Sequence, residues 1–442
     1  MDKPIDAAFG HRQTRVPYGR LRGMPAPDVA ALLIELERSD PDAVDDATTA
    51  VEWLTGGEPL ETITQLDVCE FLWYTLPLKV GGDHTAVAGA LGLLFTLGGM
   101  DRYAALCHAP TTARILRTYA KDGEEAGAAA YHVALDATGV LPPDTPALQW
   151  SSIMGPEEHG AHVACSAALE LAIVSGELRP GSPAWKEHRE ALTHRWLTAA
   201  RAELGGDNWL HRVHGERLNR WVLGRGAARR ELAQPFEVRL HAPIPVPGGD
   251  VLAPLAWLLD RARAGGLPLT REQRLARAVV SEAAQALGSP PDLDTLVDVA
   301  VNGLQALKRA RRRLEITPEG LGLLSDHGLL WEAATAGLLS QGAPDLELAA
   351  GEAALLLLAE GGAFTADGLR AEVAAVIGAD EWPATPSRDI TGALTRLSRR
   401  LDAFGMRVTD DGLTRLTDIG RSAALTALRT HALRPRQYVS LS

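Results

Sequence analysis

The chain has 442 residues, 46% of them hydrophobic and 23% charged, an ordinary balance for a globular protein with room for two to four domains. A net charge of −12 argues against attraction of the whole chain to nucleic acid. Three cysteines, Cys69, Cys107 and Cys165, far apart and without a CxxC pair, exclude a disulfide framework or a cysteine zinc site and fit a reducing cytoplasm.

Residues 1–24 read as a flexible basic segment with no apolar core, hence no signal peptide. Charge is segregated after that. Between residues 24 and 73 lie twelve acidic side chains, among them Asp28, Glu35, Glu37, Asp42 and Glu52, against Arg38 alone. Such a face invites a protein partner or masks a basic one. From residue 25 to 240 the pattern is helix after helix. "DVAALLIELE" and "TQLDVCEFLWYTL" repeat apolar residues three and four apart, as one-sided helices do. Asp83 can cap the apolar run that follows it, and Thr111 and Ser182 can cap later helices. The run "TAVAGALGLLFTLGGM" is short and glycine-rich, so a buried core helix is expected rather than a membrane span.

Residues 241–250, "HAPIPVPGGD", hold three prolines and two glycines. Proline lacks an amide donor and fixes φ, so this stretch reads as an extended linker. Beyond it the chain echoes itself. Residues 251–340 and 345–442 each show an apolar helix ending at a glycine pair (Gly265-Gly266, Gly361-Gly362). Each goes on with a short apolar stub into Thr270 or Thr365, two further helices, a turn, and a Thr-x-x-Gly helix start at Thr317 or Thr417. Asp410-Asp411-Gly412 is a hairpin turn, because Gly accepts positive φ. The first copy leaves hardly any room for a hairpin, and its basic "KRARRR" reads as the end of the third helix. The expected class is therefore all-α: an N-terminal multi-helical domain (25–240), a Pro/Gly linker, and two winged-helix-like repeats (251–340 and 345–442) with short β-hairpins.

In a winged helix the third helix enters the major groove and the wing touches backbone. In the second copy that helix spans residues 387–404. Arg388, Thr391, Thr395, Arg396, Arg399 and Arg400 lie off its apolar stripe, with Arg407 and Arg415 on the wing strands; these eight are the candidate contacts to double-stranded DNA. Asp389, Asp410 and Asp411 oppose that reading. The first copy's third helix opens with Asp292, Asp294 and Asp298, a poor reader of DNA.

Catalytic signals are thin. "EEHGAHVAC" places Glu158, His159 and His162 on one helix face, a weak metal candidate short of the three or four converging ligands zinc needs. His211 and His214 form a second pair. No phosphate loop, dinucleotide fingerprint or nucleophile elbow occurs, and no catalytic residue is singled out. Trp185, Trp196, Trp209 and Trp221 recur every 11 to 13 residues, which is core packing by default and a stacking surface as the sharper alternative.

Four stretches carry a resemblance: residues 70–77 (EFLWYTLP), 101–107 (DRYAALC), 253–260 (APLAWLLD) and 317–331. They look like a group of actinobacterial helical proteins with tandem winged-helix-like C-terminal repeats, similar to C-terminal halves of some plasmid-borne and transposon-passenger proteins. The resemblance spans most of the chain and implies no particular activity or cofactor. The function expected is that of a non-enzymatic cytoplasmic DNA-associated or regulatory protein, with DNA held by the second repeat, a protein partner at the acidic region, and no membrane. A protein-interaction scaffold with purely structural winged helices, and a ligand- or metal-binding enzyme domain in the N-terminal half, are the alternatives.

Overall fold

The computed structural model describes residues 28–248, 251–288, 292–339, 343–380 and 387–437. The expected flexible segment 1–24 lies outside them. The fold is mainly helical, 69% helix against 6% strand, and the strands form two small antiparallel sheets. The described residues divide into two compact units, 28–213 with 435–437, and the described part of 214–434.

The first unit is a stack of helices, among them Val29–Ser39, Val44–Thr55, His84–Leu97, Pro110–Asp122, Pro156–Val174 and Trp185–Thr198. Asp83 caps the helix after it, its carboxylate accepting from the amides of Thr85 (2.8 Å) and Ala86 (3.3 Å). That helix buries Val87, Leu91, Leu94 and Phe95, so its apolar run is core. Among the described residues no helix is long and apolar enough to cross a membrane. Thr111 is not a cap, because Pro110 opens its helix from the N1 position. Ser182 is not one either: its hydroxyl donates to the Arg179 carbonyl, and the helix starts only at Trp185 after Ala184 turns the chain at φ 59°. Glu170 staples three helices by accepting from the Gln65 amide (2.7 Å), Arg102 (3.2 Å) and the Tyr103 hydroxyl (2.9 Å).

The unit boundary falls inside the helix Trp209–Leu223, not at the proline-rich stretch. The reason is packing. The helices between residues 214 and 241 send Leu218, Trp221, Val222, Ala233, Phe236 and Leu240 into the core of the second unit. Residues 243–248 have neither helix nor strand, but they follow a segment that already belongs to that core.

Two segments of the second unit share one order of elements. In the first, the helix Ala253–Arg263 leads to the short strand Leu267–Pro268, then to helices Arg277–Leu287 and Leu293–Asp298 (the latter continued by a π-helical turn, Val299–Gly303). Strands Leu307–Ala310 and Arg313–Ile316 follow, with Arg313–Ile316 central in the sheet. In the second, Asp345–Ala359 leads to Phe364, then to Ala366–Ala379, Ser387–Ala403 and the hairpin Arg407–Asp410 with Leu413–Leu416. Phe364 exchanges both backbone hydrogen bonds with Thr414 and so stands where the first segment has its short strand.

The first segment thus does form a hairpin. Gln305, at φ 52°, ends the helical run early, and the basic stretch 308–313 becomes two strands and their turn rather than a helix end. Thr365 caps its helix through the Gly368 amide, but Thr270 does not, since the next helix begins only at Arg277. One core runs through both segments. Within it Leu293–Asp298 packs against Ser387–Ala403, and His327–Ala336 against Asp418–Ala432.

Candidate nucleic-acid interface

Helix Ser387–Ala403 turns Ile390, Ala393, Leu394, Leu397 and Leu401 into the core. Thr391, Thr395, Arg396 and Arg399 are exposed on its other side, and the side chain of Arg388 lies outside the described residues. Three of the candidate arginines are engaged within the fold. Arg396 donates in a fork to Glu347, with Nε to Oε1 at 2.8 Å, and this carboxylate raises the guanidinium pKa. Arg400 donates to the Gly337 carbonyl at 2.7 Å. Arg407 forks onto Asp402, Nη2 to Oδ2 being 2.6 Å. Thr395 donates its hydroxyl back to the Thr391 carbonyl (2.7 Å). Arg399 and Arg415 are exposed, but the hairpin tip beside Arg415 carries Asp410 and Asp411, both exposed. A carboxylate clamp removes most of the attraction of an arginine for phosphate, so Arg396 and Arg407 add little to a positive face here.

The opposite holds in the first segment. Lys308, Arg309, Arg311, Arg312 and Arg313 are all exposed on the hairpin. Only Glu315 opposes them on the strands, 3.8 Å from the Lys308 ammonium. Arg313 donates to the Gly265 carbonyl at 2.8 Å, which orients it without cancelling its charge. The third helix beside this hairpin stays acidic, Asp294 pairing with Arg274 (2.7 Å) and Asp298 accepting from Asn302 (2.7 Å). Sequence reasoning missed the hairpin because Arg311 and Arg312 are not turn formers. The signal that could have found it is the apolar pair Leu307 and Ile316, symmetric about that dipeptide and opposite each other across the strands, with Leu307 and Leu314 buried.

The helix starts after both hairpins are built alike. Thr317 and Thr417 accept the amides of Gly320 and Gly420, each at 3.0 Å. Their own amides donate to the carbonyls of Ala306 and Met406, each at 3.0 Å.

Two of the candidate metal residues, Glu158 and His162, are held in the packing of the first unit. Glu158 is fully buried and accepts from the Ser151 amide (2.7 Å) and hydroxyl (3.1 Å). His162 meets Trp150 edge-on at 5.0 Å between ring centroids. Among the described residues no three His, Cys, Asp or Glu side chains converge as a metal set. Burial, with the neighbouring His159 and against the pull of Glu158, lowers the His162 pKa to about 4 from 6.5. The unfolded chain therefore takes up a proton before the folded one does. Stability from this site is full above pH 6.5 and is lost as pH falls towards 4. Melts of His162→Phe across that range are expected to lose this part of the pH slope; an unchanged slope would show that His162 is not its source.

Three of the four periodic tryptophans carry an arginine over the ring: Arg189 on Trp185 (4.8 Å), Arg201 on Trp196 (3.4 Å) and Arg225 on Trp221 (4.3 Å). Such cation–π stacking occupies faces that a planar ligand would need. Comparison with protein-family models, with curated proteins and with solved structures found no match for the chain.

Proposed function

We propose that the chain is a non-enzymatic, cytoplasmic, DNA-associated or regulatory protein whose second unit contains two winged-helix-like repeats. The observation that carries the fold reading is the shared order of helix, short strand or single bridge, helix, helix, hairpin and Thr-capped helix, with the same backbone bonds at each helix start. The actinobacterial resemblance points the same way. Free, buried Cys69, Cys107 and Cys165, the last two with thiol pKa values pushed by burial to about 12, suit a reducing compartment and no redox chemistry. The acidic side chains exposed on the first helices, with Trp53 and Ile34 half exposed among them, suit a protein partner of opposite charge.

A mobility-shift assay of the full chain with mixed-sequence duplex DNA tests the reading. Binding at low salt that weakens steeply as salt rises is the expected result. No binding at low salt would overturn it. A second reading is a protein-interaction scaffold, favoured by the packing of the two third helices against each other, which spends on the fold a surface that DNA readers keep free.

A further inference from the structure

We propose that the first hairpin, not the third helix of the second repeat, is the contact to nucleic acid, and that it grips the phosphate backbone of duplex DNA without reading bases. The proposal rests on the winged-helix-like, DNA-associated reading above and names its surface. Five cationic side chains stand within six positions, 308–313, and all are exposed. Arg309, Arg311 and Arg312 enter no ion pair among the described residues. The turn after the adjoining strand adds Arg271, which is exposed; the Leu269 amide, two residues before it, donates to the Arg312 carbonyl at 2.9 Å. Glu272 is the acidic neighbour there and Glu315 the one on the hairpin itself.

The backbone of the tip points the same way. Arg311 sits at φ 55°, a left-handed conformation that glycine or asparagine adopts at far lower cost. The second hairpin meets the same demand with Asp411 (φ 48°) and Gly412 (φ 77°). Strain held at an exposed tip signals a side chain kept for what it touches. Edge protection explains less. Leu307–Ala310 is an outer strand of its sheet, and charge there blocks strand pairing. Lys308 and Arg309 suffice for that and do not account for arginines at the turn.

The acidic third helix of this repeat argues against base readout. Asp294 and Asp298 would face the groove edges and repel the flanking phosphates. A cationic hairpin beside an acidic helix holds a duplex by its backbone alone. Contacts to about four phosphates give a slope of log K on log salt of about −3.6, so affinity falls about 100-fold between roughly 50 and 200 mM salt.

The test is fluorescence anisotropy of the full chain with a labelled mixed-sequence duplex, with helical content and melting temperature recorded for every variant. The triple variant R309E/R311E/R312E is expected to lose binding by about 100-fold or more, and Arg399→Glu to bind within about twofold of the parent. Arg311→Gly keeps or raises the melting temperature, because it relieves the turn, yet weakens binding several-fold. If the triple variant does not fold, R309Q/R311G/R312Q carries the test, with an expected loss of about tenfold. Arg399→Glu abolishing binding while the hairpin variants bind normally would overturn this assignment and leave DNA association standing. Absence of binding by the parent chain at low salt would overturn both. Capture of a polyglutamate peptide through the hairpin, with no capture of duplex, would overturn the nucleic-acid assignment in favour of an acidic protein partner.

Discussion

Gly420→Ala is expected to destabilise the second unit by about 3 kcal/mol or more, a large loss for a single methyl group. A Cβ at this position would lie 1.8 Å from the Met406 carbonyl oxygen. That atom is backbone and cannot swing aside. It also accepts from the Thr417 amide (3.0 Å) and hydroxyl (3.2 Å), so moving it breaks the helix start as well as the hairpin entrance. Gly320→Ala meets the same obstacle, with Cβ 2.2 Å from the Ala306 oxygen. Gly378, near the end of helix Ala366–Ala379, has nothing within 4 Å of its would-be Cβ. Gly378→Ala is therefore the control, neutral or stabilising by about 0.5–1 kcal/mol from helix propensity. Denaturant midpoints separate the three variants. A Gly420→Ala protein as stable as the Gly378→Ala one would show that the helix does not close on the hairpin in this way.

Glu352→Ala is expected to be comparably damaging, by about 3–5 kcal/mol, because it leaves a buried cation without its counter-ion. Glu352 is 1% exposed and receives a two-pronged bond from Arg225, whose Nε lies 2.6 Å from Oε1, while the His431 Nε2 lies 3.5 Å from Oε2. Arg225 in turn stacks on Trp221. Burial raises the carboxyl pKa, but the hydrogen bonds and charges of His431 and Arg225 outweigh it and hold the group down at about 2, from 4.5. The folded state therefore stays ionised where the unfolded chain takes up its proton. The stability it confers is complete above pH 4.5 and disappears as pH falls from there towards 2. Acid titrations of the parent chain and of Glu352→Gln are expected to diverge in that window, the variant losing the slope. Replacing both partners, E352L/R225M, is expected to regain much of the loss, since apolar contacts can replace a buried pair. Failure of the double variant to recover would mean that Arg225 matters for its tryptophan contact more than for its charge.

Much of the local structure was legible. Asp83 announced a cap, and Thr317 and Thr417 with their glycines announced two helix starts, because these motifs are satisfied by groups two or three residues away. The Asp411-Gly412 turn was legible because glycine marks positive φ. The Arg311-Arg312 turn was not, since arginine is a poor occupant of that conformation and is placed there by strand pairing on both sides. Thr270 looked as good a cap as Thr365, yet the chain bridges Leu269 to Leu275 before the next helix starts. The proline-rich stretch looked like the domain boundary, but Ala233, Phe236 and Leu240 draw the preceding helices into the second core.

The candidate site was the least legible part. Arg396, Arg399 and Arg400 look equivalent along one helix. Glu347, 49 residues away, claims the first, the Gly337 carbonyl claims the last, and only Arg399 of the three is left exposed without such a bond.

What the sequence by itself determined was the mainly helical class, the repeated run of helices in the second half, the caps at Asp83, Thr317, Thr365 and Thr417, and the glycine turn. Those depend on periodicity and on bonds spanning a few residues. Only the tertiary structure decided where the chain divides, which helices face each other, and which cations stay free. A charge is neutralised by whatever the fold brings within about 4 Å, and that distance bears no relation to separation along the chain.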